Sequence, residues 1–301
     1  MSENLSLEGR VAVVTGAGAG LGRAEAAALA QAGAHVVIND LPGAADEAAE
    51  AIRSAGGQAS VVAGDIGERS TADALMKATA EDLGRLDIVV NNAGVTRDRM
   101  IFNMSDDEWD LVMRIHLRGH FLLSRNAASY WRQQNKATDA PVYGRIVNTS
   151  SEAFLSGSPG QPNYAAAKGG IMALTLSEAR SLNRMGVTAN AIAPRARTAM
   201  TAGVFGEEDT SGAEVDPMSP AHVAPLVADL ASPAAARING QLFVVYGGMV
   251  ALIAAPVVEQ RFDASGATWD LEDLDKQVGS FFADRDPSVC YAADSIMRIE
   301  L

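Results

Sequence analysis

Thr15-Gly16-Ala17-Gly18-Ala19-Gly20-Leu21-Gly22 joins a β-branched run, Arg10 to Thr15, to an alanine-rich helical stretch, Ala24 to Ala32, which Gly33 closes. Glycines between a strand and a helix let the backbone turn sharply and approach a pyrophosphate, which rests on the free N–H groups of the helix N-terminus. The spacing is T-G-x-x-x-G-x-G rather than G-x-G-x-x-G, and alone it is a weak signal, because any tight strand-to-helix turn has a use for glycine. Its place at the head of an alternating pattern decides the reading.

Further strands are expected at His35 to Asn39, Gln58 to Ala63, Leu86 to Val90, Arg145 to Thr149, Val187 to Ala193 and Gln241 to Tyr246. Helices are expected at Ala44 to Ala55, Thr71 to Leu83, Asp107 to Gln133 and Asn163 to Met185. Ser105 and Glu108 form the capping box of the third of these, and Asn135 to Tyr143 reads as an irregular surface insertion. Apolar strands alternating with helices predict the α/β class: a single Rossmann-type, doubly wound parallel sheet of seven strands with helices on both faces. Residues 1–255 are expected to form one domain holding both the nucleotide and the chemical ends. Residues 256–301 read as a C-terminal extension with a helix from Trp269 to Phe282, where Leu271, Leu274, Val278 and Phe281 keep helical spacing.

Composition narrows the partners. The chain has 301 residues and a net charge of −13, so without a basic cluster it repels nucleic acid and anionic membranes. A single cysteine and four scattered histidines exclude a disulfide framework and offer no metal site. Ile238 to Val258 is free of charge and long enough to span a bilayer. Gly247-Gly248 and Pro256 break it, however, so it reads as a buried strand followed by an apolar loop, Met249 to Val258. Neither end resembles a targeting signal, which makes a soluble, cytoplasmic protein the expectation.

Asp40 ends the second strand, where a carboxylate accepts from the adenosine ribose hydroxyls and repels the 2′-phosphate of NADP. The Gly-rich turn also lacks an Arg or Lys to attract that phosphate, so NAD is the expected cofactor; the competing reading of Asp40 is a plain turn residue before Leu41-Pro42. Asp65 follows the third strand, as a possible acceptor for the adenine amino group. Asn91-Asn92-Ala93-Gly94 follows the fourth, as a cofactor contact, a structural turn or both.

Tyr164 and Lys168 stand at i, i+4 on the long helix and so share a face. A free phenol, with a pKa of about 10, is a poor base at neutral pH, and a neighbouring ammonium favours its ionised form. Ser151, at the end of the fifth strand, places a hydroxyl where it can bond a reacting oxygen. Each residue taken alone has an ordinary packing or surface explanation.

Taken together, the Gly-rich turn, N-N-A-G, Ser151 and Y-x-x-x-K resemble the short-chain dehydrogenase/reductase family, from about Leu7 to Met249. The resemblance implies that Tyr164 is the general acid/base and that Ser151 holds the substrate oxygen. It implies that Lys168 binds the nicotinamide ribose and lowers the tyrosine pKa, and that Thr198 contacts the carboxamide. It extends the cofactor site to Gly16, Gly18, Gly20, Leu21, Gly22, Ile66, Asn92, Ala93, Gly94 and Pro194. Two positions depart from the family. His116 stands where an asparagine usually holds a water of the proton relay, as a stand-in or as a packing residue. The usual Pro-Gly after the sixth strand is Pro194-Arg195.

Asn39-Asp40-Leu41, Arg97-Asp98-Arg99, His116 to Gly119 and Ala224 to Val227 look like the dehydrogenase unit of the D-specific peroxisomal β-oxidation enzyme, also named a 17β-hydroxysteroid dehydrogenase, and its stand-alone bacterial relatives. That likeness implies NAD-dependent oxidation of (3R)-hydroxyacyl-CoA to 3-oxoacyl-CoA. A hydroxysteroid dehydrogenase, a 3-oxoacyl reductase and a catalytically silent NAD-binding sensor or scaffold are the alternatives. The expected partner is a small molecule, acyl-CoA or steroid-like, and the family's habit predicts a homodimer or homotetramer. Arg195 and Arg197 read either as cations attracting a CoA phosphate or as ordinary surface arginines.

Overall fold

The strand β1 (Val11–Thr15) is buried at every position and lies between β2 (His35–Asp40) and β4 (Ile88–Asn91), parallel to both. With β3 (Gln58–Ala63), β5 (Gly144–Thr149), β6 (Val187–Pro194), β7 (Leu242–Tyr246) and β8 (Met249–Leu252) it makes one sheet of order β3-β2-β1-β4-β5-β6-β7-β8. This is a computed structural model, and it describes residues 2–201, 216–287, 289–293 and 295–296. The order reverses between β1 and β4, and in an open parallel sheet that crevice is where ligands bind.

Side chains alternate across the sheet because the strand period is two. Ala12, Val14, Ile38, Val90 and Val147 pack on one face against α1 (Gly20–Gln31) and α2 (Asp46–Ser54). Val13, Val37, Val89 and Ile146 point the other way. They meet α3 (Arg69–Met76), α5 (Gly119–Thr138) and α7 (Pro162–Leu182), the second of which adds a buried Trp131. α4 (Asp106–Met113) opens on the expected capping box between Ser105 and Glu108. α6 (Ala153–Ser156) is a single turn after β5, and α8 (Ala224–Ala231) joins the first face.

Two expectations are corrected. The sheet has eight strands, not seven, since Gly247-Gly248 turns the chain into an antiparallel hairpin and Met249–Leu252 pairs with β7. Burial alternates within Met249–Leu252, but all four residues are apolar, so the segment carried no alternating pattern and read as an apolar loop. The predicted Asp107–Gln133 helix is two helices joined by a π-helical turn, Arg114–Arg118, and its second half runs on to Thr138, taking in part of the expected irregular insertion. α8 carried no helical expectation.

The tail holds helical turns over Leu271–Phe282, and Ile296 is buried beside Ala191, Ala193, Leu242 and Val244. The terminal Arg298 to Leu301, read for a targeting address, lie outside the described residues. No helix among the described residues is long and apolar enough to cross a membrane.

Candidate active site

The Gly-rich turn is held from both sides. Gly16 has φ +64°, and a β-carbon there would sit 2.7 Å from Cα of Ala93, so only glycine closes the turn against the N-N-A-G segment. Asn92 donates its side-chain amide to the carbonyls of Thr15 and Gly16, at 3.0 and 3.1 Å. Thr15 Oγ1 accepts from the backbone of Asn92 and Ala93, each at 3.1 Å. The structural-turn reading of Asn91-Asn92 is seen in these bonds. Asn92 ties the turn and lines the cavity, whereas Asn91 is fully buried and bonds Asn148 and Ser124.

Asp40 Oδ2 accepts from the N–H of Gly18 at 2.9 Å, and Oδ1 accepts from Leu41 at 2.7 Å. A side chain at Gly18 would run into that carboxylate and the Ala44 carbonyl. Asp65 lines the same space, but Gly67 and Arg114 already engage its oxygens, each at 2.8 Å. The cavity these residues bound has a volume of about 430 Å³. It takes in Gly16, Gly20, Leu21, Asp40, Asp65, Ile66, Asn92, Ala93 and Gly94 on the nucleotide side, and His116, Tyr164, Lys168, Pro194 and Thr198 on the other. Glycines that admit no side chain and a carboxylate at the end of β2 suit a dinucleotide cradle. Gly18 and Gly22 pack within the turn and Ser151 stands just beyond; none of the three lines this cavity.

At the chemical end, Ser151 Oγ accepts from the N–H of Ala153 at 3.2 Å, and its hydroxyl acts to lower the pKa of the Tyr164 phenol. Lys168 is buried and donates to the carbonyl of Thr149 at 2.6 Å, with its ammonium 5.3 Å from the centre of the Tyr164 ring. Burial pushes Lys168 down to about 7, against the pull of Glu25. Burial also raises Tyr164 above the ordinary phenol range, opposed by the Ser151 hydroxyl and reinforced by Asp98. The lowering of the tyrosine pKa expected from Lys168 is not among the causes of this shift.

His116 sits within the π-helical turn, a distortion that places a side chain where a regular helix would not. Its Nε2 lies 3.0 Å from the N–H and 2.8 Å from the carbonyl of Val95, and its Nδ1 is buried without a partner. Burial first and Lys168 second hold it well below the ordinary histidine range, so the ring is neutral.

Arg195 and Arg197 are not open cations. Arg195 is locked onto Glu152 and Arg197 onto Asp216. Thr149, Arg114 and Glu25 are the residues that motif reading missed. Glu25, one turn into α1, is fully buried, has neither carboxylate oxygen paired, and is raised by burial to about 8, against the pull of Lys168. Its signal was a charged residue in an otherwise apolar stripe.

A glycine cradle at the carboxyl ends of parallel strands, facing a serine, a tyrosine and a buried lysine, defines an oxidoreductase that uses a nicotinamide cofactor on CH–OH donors. The family model described as short chain dehydrogenase matches residues 10–209, and the chain belongs to that family. It is 59% identical to hydroxyacyl-CoA dehydrogenase ChsB1 of Mycobacterium tuberculosis, over 97% of this chain and 94% of that one. It is 40% identical to mouse peroxisomal multifunctional enzyme type 2, over 83% of this chain and 33% of that longer protein. A crystal structure of a short chain dehydrogenase from Mycobacterium avium superposes with a TM-score of 0.83 at 41% identity, covering 95% of this chain and 99% of that one.

Proposed function

We propose that the protein oxidises (3R)-hydroxyacyl-CoA to 3-oxoacyl-CoA with NAD. One observation carries the chemistry: Tyr164 and Lys168 open together onto the cavity bounded by the glycine cradle. When bound there, NAD supplies the hydride acceptor at nicotinamide C4. Ser151 holds the substrate oxygen, and Tyr164 takes its proton as general base. Lys168 would hold the nicotinamide ribose, and while it keeps its proton its charge favours the phenolate. Thr198, on the segment after β6, would hold the carboxamide. His116 acts through position rather than proton transfer, since its one bonded nitrogen is committed to the Val95 backbone.

Asp40 supports NAD over NADP, because a carboxylate at the end of β2 repels a 2′-phosphate. The acyl-CoA substrate rests on the names of the relatives. A Synechocystis relative at 37% identity is named 3-oxoacyl-[acyl-carrier-protein] reductase, which favours reduction as the second reading. Residues 1–255 serve as the catalytic domain, the remainder is an extension of it, and the protein works in the cytoplasm. Exposed Trp109, Phe121 and Leu176 on α4, α5 and α7 support a dimer or tetramer through those helices. Titration calorimetry with NAD and NADP, followed by turnover of acyl-CoA, steroid and acyl-carrier-protein substrates, tests the assignment. Tighter NAD binding with CoA-ester turnover supports it, and NADP-dependent reduction alone overturns it.

A further inference from the structure

Two features remain outside this chemistry: the Pro194-Arg195 pair where the family usually has Pro-Gly, and the tail. They meet at one point. Arg195 Nε and Nη2 donate to Oε2 and Oε1 of Glu152, both at 2.7 Å, and Nη2 also donates to the carbonyl of Ile296 at 2.7 Å. The guanidinium lies 4.8 Å from the ring centre of Tyr246 on β7. Both members of the ion pair are largely buried, at 13% and 11% side-chain exposure. A second link joins the same parts, from the N–H of Ala293 to the carbonyl of Leu155 at 2.8 Å. The Ile296 side chain packs with Phe154, Leu155 and Met172.

Glu152 is the residue after Ser151 and the N-cap of α6. A four-residue helical turn has no stability of its own, so α6 takes its place from tertiary contacts. Those contacts run from the rigid strand β7 through Arg195 to Glu152, and from the tail to Arg195 and Leu155. A two-pronged guanidinium–carboxylate pair out of water fixes direction as well as distance.

We propose that Arg195, Glu152 and the tail residues Ala293 and Ile296 form a latch that positions Ser151 for the substrate oxygen, so that the C-terminal extension acts on turnover from within its own chain. Arg195 is thus a positioning residue. The inference rests on Ser151 as the residue that meets that oxygen.

The test is a double-mutant cycle on the full-length protein. Arg195→Gln breaks the pair, Ile296→Asp lifts the tail, and a third protein carries both. Each single change is expected to lower kcat/KM for the alcohol by about tenfold, and the double change by no more than either alone, as coupled sites behave. Arg195→Lys, with one of the prongs kept, is expected to recover part of the rate. NAD affinity stays within about twofold throughout, because the cradle lies on β1, β2 and β4. Effects that multiply to about a hundredfold, or NAD affinity that falls together with turnover, overturn the latch. Ser151→Ala in the wild-type background separates the two failures. Undiminished turnover there overturns the role of Ser151 and the latch with it, whereas lost turnover with multiplying effects overturns the latch alone.

Discussion

The ring of His116 meets that of Tyr164 edge to face, with centroids 5.2 Å apart and planes at 87°. Gly94 makes the approach possible, since a β-carbon there would collide with the imidazole. The histidine thus braces the reacting phenol on one side and bonds Val95 of the cofactor segment on the other. His116→Leu should lower kcat about tenfold and destabilise the fold by about 1–3 kcal/mol, the usual cost of an orphaned buried polar group. His116→Asn keeps a polar atom there and should retain most of the rate. Steady-state kinetics and denaturant melts of the two variants check this. Equal losses in both would mean that the ring only packs.

Tyr164→Phe removes the proposed acid/base and leaves the cradle intact. Turnover should fall by about 10² to 10⁴, the usual worth of positioned proton transfer. NAD affinity, followed by fluorescence titration, should change less than twofold. Because burial raises the phenol above its ordinary value, wild-type oxidation should also climb with pH beyond neutrality. A rate flat from pH 7 to 10 would contradict the assignment.

Asp40 is the residue proposed above to select NAD over NADP. Asp40→Ser removes the repulsion toward a 2′-phosphate and should raise the NADP-to-NAD ratio of kcat/KM at least tenfold, about 1.4 kcal/mol. Parallel assays with both cofactors measure it.

Glu178 makes stability depend on pH. It is buried on α7, accepts from Asn148 Nδ2 at 2.9 Å, and burial raises its carboxyl to about 7. The folded pKa exceeds the unfolded one, so the proton it retains on folding stabilises fully below about pH 4.5. That contribution, about 3 kcal/mol at most, is lost as pH rises through 7. Glu178→Gln should flatten the fall in melting temperature between pH 5 and 8. An unchanged slope would show that the group is ionised when folded.

Much of this molecule was legible because strand and helix periods differ. The β-branched runs and the Gly-rich turn marked the parallel strands and the nucleotide crevice, and the spacing of Tyr164 and Lys168 marked one face of α7. What local pattern could not show was set by distant contacts. The hairpin strand Met249–Leu252 exists only because β7 offers an edge, and its apolar outward residues Val250 and Leu252 hide the alternation. Arg195 reads either as a cation for a CoA phosphate or as a surface arginine because its partners, Glu152 and Ile296, lie far away in sequence. The π-helical turn around His116 likewise leaves no mark on composition.

Hydride passes, in the proposed reaction, from a (3R)-hydroxyacyl-CoA to NAD with Tyr164 as base. NADH formation from purified protein with matched (3R)- and (3S)-hydroxyacyl-CoA esters, using wild type and Tyr164→Phe, tests this directly. NADH is expected from the (3R) esters with wild type, and none from either ester with the variant beyond the residual expected above. Equal turnover of both stereoisomers, or full activity in Tyr164→Phe, would contradict it.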